Sequence, residues 1–207
     1  VQLKYIKKEY LSTPDIALEQ THLEIGRLGR RVTNMVNRLP PLASQPKNED
    51  EKHTIRQTLR EIEKVEDEVD VLHAKILSYL GKLRQSPLTQ QESRHQIKLV
   101  SITDQLESVA DLVANNMLPL CYKTLDANIQ ASPEMRETLD RTHSRVNQAL
   151  LDSVNAIRRE DGQLAENVLN AKNEINILLE SILELQAQRL SQATEQRLAI
   201  FRIQMEL

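Results

Sequence analysis

Apolar residues recur along this chain at steps of three and four, with polar residues filling the intervals. Between residues 49 and 85 the apolar positions are Ile55, Leu59, Ile62, Val65, Val69, Leu72, Ile76, Leu80 and Leu83. One face of an α-helix returns about every 3.6 residues, so this stretch predicts one long amphipathic helix of roughly 55 Å. The same spacing predicts a first helix from Pro14 to about Leu39, with Ile16, Leu28, Val32, Val36 and Leu39 inward. A third is predicted from about Thr89 to Leu118, with Ile97, Val100, Leu106, Val109, Val113 and Met117 inward.

Helix punctuation then repeats. Ser12-Thr13-Pro14-Asp15 reads as a cap, a proline at the first helical position and an acid on the positive end of the dipole. Pro40, Pro41 and Pro46 make a loop, Asn48 caps the second helix, and Ser86-Pro87 ends it. Pro119 is expected to break or kink the third, with the helical pattern fading by Asn128. Ala131-Ser132-Pro133-Glu134 is a second start of the same kind, and Thr142-His143 falls where Thr21-His22 fell. A fourth helix then reaches Arg159, Asp161-Gly162 turns the chain, and a fifth runs from Gln163 to Gln188. A sixth is expected from Ser191 or Thr194 to Leu207. Within the fifth, Ile175, Leu178, Ile182 and Leu183 repeat the positions of Val69, Leu72, Ile76 and Leu77.

The expected architecture is all-α: a six-helix antiparallel bundle made of two three-helix repeats. Residues 1–13 read as a linker from an upstream region, 14–128 as the first repeat and 132–207 as the second, its last helix incomplete. A single three-helix unit of this size leaves an apolar edge that a second unit would close. The plainer alternative is two unrelated helical hairpins with similar starts.

Composition narrows the function more than the fold. Aromatics make up 2% of residues, Trp is absent and there are 4 Gly, which leaves little for strands and their turns. A net charge of -3 gives no electrostatic reason to bind nucleic acid. The lone Cys121 excludes an internal disulfide and, with no His or basic partner near it in sequence, reads as a packed thiol. No stretch approaches the ~20 apolar residues of a membrane span. There is no Gly-rich phosphate loop, zinc spacing or nucleophile elbow, so the chain is expected not to be an enzyme. The Arg27, Arg30, Arg31 cluster reads as a solvated face.

Two carboxylates one helical turn apart can share a cation. Five such pairs occur, against about four expected by chance at this acid content, so spacing alone selects none of them. Position does. Glu66 and Asp70 follow the core residues Val65 and Val69, and Glu107 and Asp111 follow Leu106 and Ala110. Both pairs therefore sit at the shoulder of an apolar stripe, at mid-length on consecutive antiparallel helices. The four could converge across one seam, where their repulsion would call for a metal ion. Every histidine also has an acid three residues earlier, Asp70 before His73 among them. That arrangement admits a ferritin-like di-metal carboxylate centre, although such pairs are ordinary helix-surface contacts.

The stretches "KVEDEVDVLHAKIL" and "DQLESVADLVANNM" resemble the second- and third-helix motifs of the PhoU family, whose third helix carries a hydrophobic-Glu-x-x-x-Asp run. The opening "EYLSTPDIALEQTHLEIGRL" is similar to one branch, the PhoU-like domain at the C-terminus of bacterial sodium/phosphate cotransporters. The resemblance covers nearly the whole chain. It implies two three-helix bundles and a non-catalytic regulatory domain that modulates a sodium-dependent phosphate transporter. Such a domain would lie on the cytoplasmic side of the inner membrane, partnered by the transporter's membrane-spanning part or by a second copy. It implies Glu66, Asp70, Glu107 and Asp111 as metal ligands for a divalent metal or iron, and the spacing from Asp70 makes His73 a further candidate. In the second half Lys172 and Asn176 stand where Glu66 and Asp70 would, and Ser108 replaces the family's usual Arg, so one site at most is expected. The alternatives are a free-standing PhoU-type regulator of phosphate uptake and the ferritin-like protein above.

Overall fold

Helix starts in this chain are set by prolines and by short polar caps. In the computed structural model, which describes residues 1–41, 46–127 and 131–190, the segment begins with an irregular strap and a 3₁₀ turn, Lys8–Ser12. Helix α1 (Pro14–Arg38) follows, then α2 (Glu49–Leu83) and α3 (Gln90–Leu112). A π-turn, Val113–Met117, joins α3 to α4 (Leu118–Asp126), and α5 (Pro133–Arg159) and α6 (Gly162–Leu190) complete the described chain. It is all-helical: no strand occurs among the described residues. No described helix is long and apolar enough to cross a membrane.

Two of the expected caps are made, at Asn48 and Ser132, and a third that was not expected forms at Thr89. The Asn48 side chain accepts from the Glu51 amide, Thr89 and Glu92 exchange hydrogen bonds as a capping box, and the Ser132 hydroxyl accepts from the Met135 amide. The first is not: Thr13 caps α1 without a side-chain bond, and the Ser12 hydroxyl instead donates to the Glu9 carbonyl. At the end of α5 the left-handed residue is Glu160 (φ 53), one position before the expected Asp161-Gly162 turn.

Helices α1, α2 and α3 pack on one another as an antiparallel three-helix bundle, and α5 lies along α1 with α6 against α5. Helix α1 is central because it serves three neighbours, and it buries Leu18, Ile25, Leu28, Val32 and Met35 as well as Gly26 and Gly29. Of the residues expected inward, Val69, Leu72, Leu106 and Val113 are buried and Val65 and Val109 are half-buried. Ile16 and Ile97 are not inward; they are 45% and 58% exposed. On α3 the inward positions beside Ile97 belong to polar residues that find partners. Gln96 donates to the Leu80 carbonyl at 2.6 Å, and Thr103 to the Leu99 carbonyl at 2.7 Å. A buried amide or hydroxyl with its bond made costs little, so the apolar stripe gave way there.

Pro119 interrupts the third helix, as expected, and the interruption falls just before it. A proline removes one ladder bond and pushes away the carbonyl four residues earlier. The chain answers by widening one turn, in which the Leu118 amide reaches back five residues to the Val113 carbonyl, and helix resumes through Asp126. The predicted sixth helix, from Ser191 or Thr194 to Leu207, lies outside the described residues, as does the Asn128 end expected for a first repeat.

The α1–α5 crossing has a symmetry visible in its hydrogen bonds. His22 on α1 donates to the Ile157 carbonyl on α5, and His143 on α5 donates to the Val36 carbonyl on α1. Each partner pair becomes the other when 121 is added to the α1 number. A carbonyl can only accept, so both rings carry their proton on Nε2. At the crossing, a Cβ on Gly26 would fall 2.7 Å from Arg158 Cγ and one on Gly29 would fall 2.8 Å from Val154 Cγ1. Glycine at both positions is what lets the helices approach this closely.

Candidate metal centre

The α2–α3 seam carries the four sequence-predicted carboxylates. The core residues Val69, Leu72, Leu106 and Ala110 hold the two helices together, and Glu66, Asp70, Glu107 and Asp111 lie at the edge of that contact. Three of them converge: donor oxygens of Glu66, Asp70 and Asp111 all lie within 4.8 Å of one another. Glu66 and Asp111 are half-buried and Asp70 is exposed. Glu107 is outside this trio but close enough to act on it electrostatically.

The electrostatics show the cost of the arrangement. Burial first, then the negative charges of Asp70, Asp67, Asp111 and Glu107, raise the Glu66 carboxyl above the usual carboxylate range. A cation held by the trio would reverse each of those charge effects. The donors are all carboxylate oxygens, which suits hard ions such as Mg, Ca or Mn, with water completing the shell. Asn115, inside the π-turn, places its amide 3.5 Å from Asp111 Oδ1. Thus one ligand helix departs from regular geometry within a turn of the seam, a common position for π-turns near functional groups.

His73 is not part of the cluster. Its Nε2 lies 2.9 Å from Asp104 Oδ1, in an exposed pair further along the same seam. With a histidine-free trio the donor set no longer favours iron. No other group of three or more metal-ligating side chains converges among the described residues, so the acid-x-x-His pairs do not assemble a ferritin-like centre there. His22 and His143 spend their rings on backbone carbonyls instead. On α6, Lys172 and Asn176 are both exposed.

Other candidate chemistry is quiet. Cys121 is buried, and burial pushes its thiol up to about 12, far from a reactive thiolate. A hollow of about 980 Å³ is an open groove on α5 and α6 where Arg136, Arg141 and Arg145 are offset by Glu137, Asp140 and Glu174. The arginine cluster on α1 is only partly solvated: Arg27 pairs with Glu24 and Arg31 with Glu68, while Arg30 is exposed.

Glu24 is the polar residue that sequence reasoning passed over. It is fully buried, and one carboxylate oxygen accepts from the Lys4 and Tyr5 amides, each at 2.8 Å, while the other accepts from Arg27. It thereby fastens the N-terminal strap to α1. The available signal was an acid on the inward face between Thr21 and Leu28, with an arginine three residues later to pair with it.

No protein-family model matches the chain, and no solved structure matches it. It is 23% identical over 176 residues to the protein named "Putative inorganic phosphate export protein YjbB" in Escherichia coli (strain K12), and equally to its namesakes in Shigella flexneri and Salmonella typhimurium. The match takes in 84% of this chain and 31% of each relative, so the chain spans about a third of the length of those curated relatives. It is thus distantly similar to proteins named for phosphate export.

Proposed function

We propose that this chain is a non-catalytic regulatory domain of a sodium-dependent phosphate transporter, placed on the cytoplasmic side of the membrane. One observation carries the reading: the similarity to a phosphate export protein runs through most of the chain rather than through one motif. The PhoU-like order of helices and acidic motifs supports the same reading, and the length of the relatives beyond the match leaves room for a membrane-spanning partner. In this reading the α2–α3 seam binds a divalent cation through Glu66, Asp70 and Asp111, with Glu107 adding charge from beside it. Neutralising the seam stiffens the bundle that the transporter's membrane part would contact.

The test is phosphate flux in cells carrying the whole gene product. Wild type is compared with a form lacking residues 14–190 and with Asp70→Ala combined with Asp111→Ala. The reading expects altered flux on removing the domain and a smaller change in the same direction from the double substitution. Identical flux in all three would sink it.

A further inference from the structure

On a chain of net negative charge, one face gathers several lysines against a single strap acid, Glu9. The strap brings Lys7 and Lys8 beside Lys75 and Lys82 at the C-terminal end of α2, around a groove of about 420 Å³ whose lining contains no carboxylate, and Lys4 stands on the same strap. All five lysines are exposed, and none forms an ion pair among the described residues. Glu9 is the one acid of the strap, and the nearby Glu24 carboxylate is turned inward and spent on Arg27 and two amides.

The lysines stand on a fixed base. Ile6 is buried, the Tyr79 hydroxyl donates to the Lys7 carbonyl at 3.1 Å, Ser86 donates to the Leu11 carbonyl at 3.2 Å, and Lys75 donates to the Val1 carbonyl. Two half-buried tyrosines share the face: Lys4 Nζ lies 5.2 Å from the Tyr5 ring centre and Lys7 Nζ 6.0 Å from that of Tyr10. Lys75 and Lys82 are seven residues apart, or about 10 Å along the helix, so the charges form a compact patch rather than a track for a polymer. Clustered lysines draw anionic headgroups, and tyrosines with an apolar body and a polar tip settle at the level of those headgroups.

We infer that this strap-and-α2 face docks on an anionic phospholipid surface. The setting rests on the transport reading above, but the contact can be measured without it. Chain 1–207 is sedimented with vesicles of phosphatidylcholine alone and with vesicles that also contain phosphatidylglycerol. Binding is expected only to the second, and it should weaken as salt is raised. Lys7→Glu with Lys8→Glu should lower affinity about thirtyfold or more, from two lysines lost at the surface. Lys47→Glu with Lys52→Glu, about 45 Å from Lys82 at the other end of α2, should leave it unchanged. Circular dichroism shows whether both variants keep their helices, and Lys75→Gln with Lys82→Gln serves if the strap variant unfolds. Equal binding to both vesicle types, equal loss in both charge-reversed variants, or retention of a short DNA duplex but not of vesicles would overturn the inference. Vesicle binding with unchanged phosphate flux would instead overturn the transport reading and leave this one standing.

Discussion

The bundle of α1, α2 and α3 and the hairpin of α5 and α6 use the same helical pattern with unequal success at burying it. In the first, Leu18, Ile25, Leu28, Leu59, Ile62, Leu72, Ile76 and Leu80 are all at or below 2% exposure. In the second, Leu169, Ile177 and Leu183 remain 72%, 61% and 57% exposed, and α6 buries little besides Ala171 and Gln186. The positions matched between α2 and α6 show it directly: Val69, Leu72 and Ile76 are buried, while Ile175, Leu178 and Ile182 are half-buried. A helix gains stability from the number of neighbours that cover its stripe. Helix α2 has α1 and α3; α6 has α5 alone as a substantial neighbour among the described residues. Equal periodicity is therefore no measure of equal stability.

The sharpest test of that difference is a matched pair of truncations followed by chemical denaturation. Leu72→Ala should cost about 2–5 kcal/mol, since it empties a filled site. Leu183→Ala should stay within about 0.5 kcal/mol, as at other exposed positions. Equal costs would mean that the hairpin is covered as fully as the bundle.

Cation supply should act on the bundle and not on the hairpin. At a hundredfold excess over the dissociation constant, a divalent ion bound at the seam adds about 2.7 kcal/mol, and Asp70→Ala with Asp111→Ala should abolish that gain in a thermal melt. The sign of its pH dependence follows from Glu66. Its folded pKa is raised, so its repulsion penalises the folded chain above that raised value and is relieved as pH falls through it. Acidification thus supplies by protonation what the cation supplies at neutral pH, and the gain from added metal should shrink. A gain that grows on acidification would place the ion elsewhere.

The join between the two regions is the α1–α5 crossing. Gly29→Val would drive new methyl groups into Val154 and should cost about 1–3 kcal/mol, with the hairpin exchanging amide hydrogens faster while the bundle is spared. Uniform faster exchange across the chain would show that the regions unfold as one. A smaller effect, of opposite sign, is expected at the end of α5: Glu160→Gly removes a left-handed non-glycine residue and should stabilise by about 1 kcal/mol.

Much of this fold could be read from the residues, because proline, cap and stripe agree at most boundaries. The starts at Pro14, Glu49 and Pro133 and the chain reversal after Arg159 follow from local chemistry alone. What could not be read depends on a second element. Gln96 and Thr103 are inward because carbonyls await them, Glu24 because the strap brings two amides to it, and no stripe reports such partners. The site was legible to the same degree. Two acid pairs at stripe shoulders located the seam, yet whether Glu107 or His73 joined the trio turned on side-chain direction across helices. The Thr-His recurrence was visible in sequence, and its use in reciprocal hydrogen bonds was not.

The widened turn at Val113–Met117 also bears on how helices keep phase. Inward residues on α3 step by three or four through Leu106, Ala110 and Val113, and the next is Leu118, five residues on. In a regular α-helix five residues overshoot the stripe by about 140°, which would turn everything downstream toward solvent. Because the π-turn takes up more chain per revolution, Leu118, Cys121 and Leu125 return to the buried side. One residue of slack thus resets the register, and it lets the chain carry a proline through a helix without losing the face that helix presents.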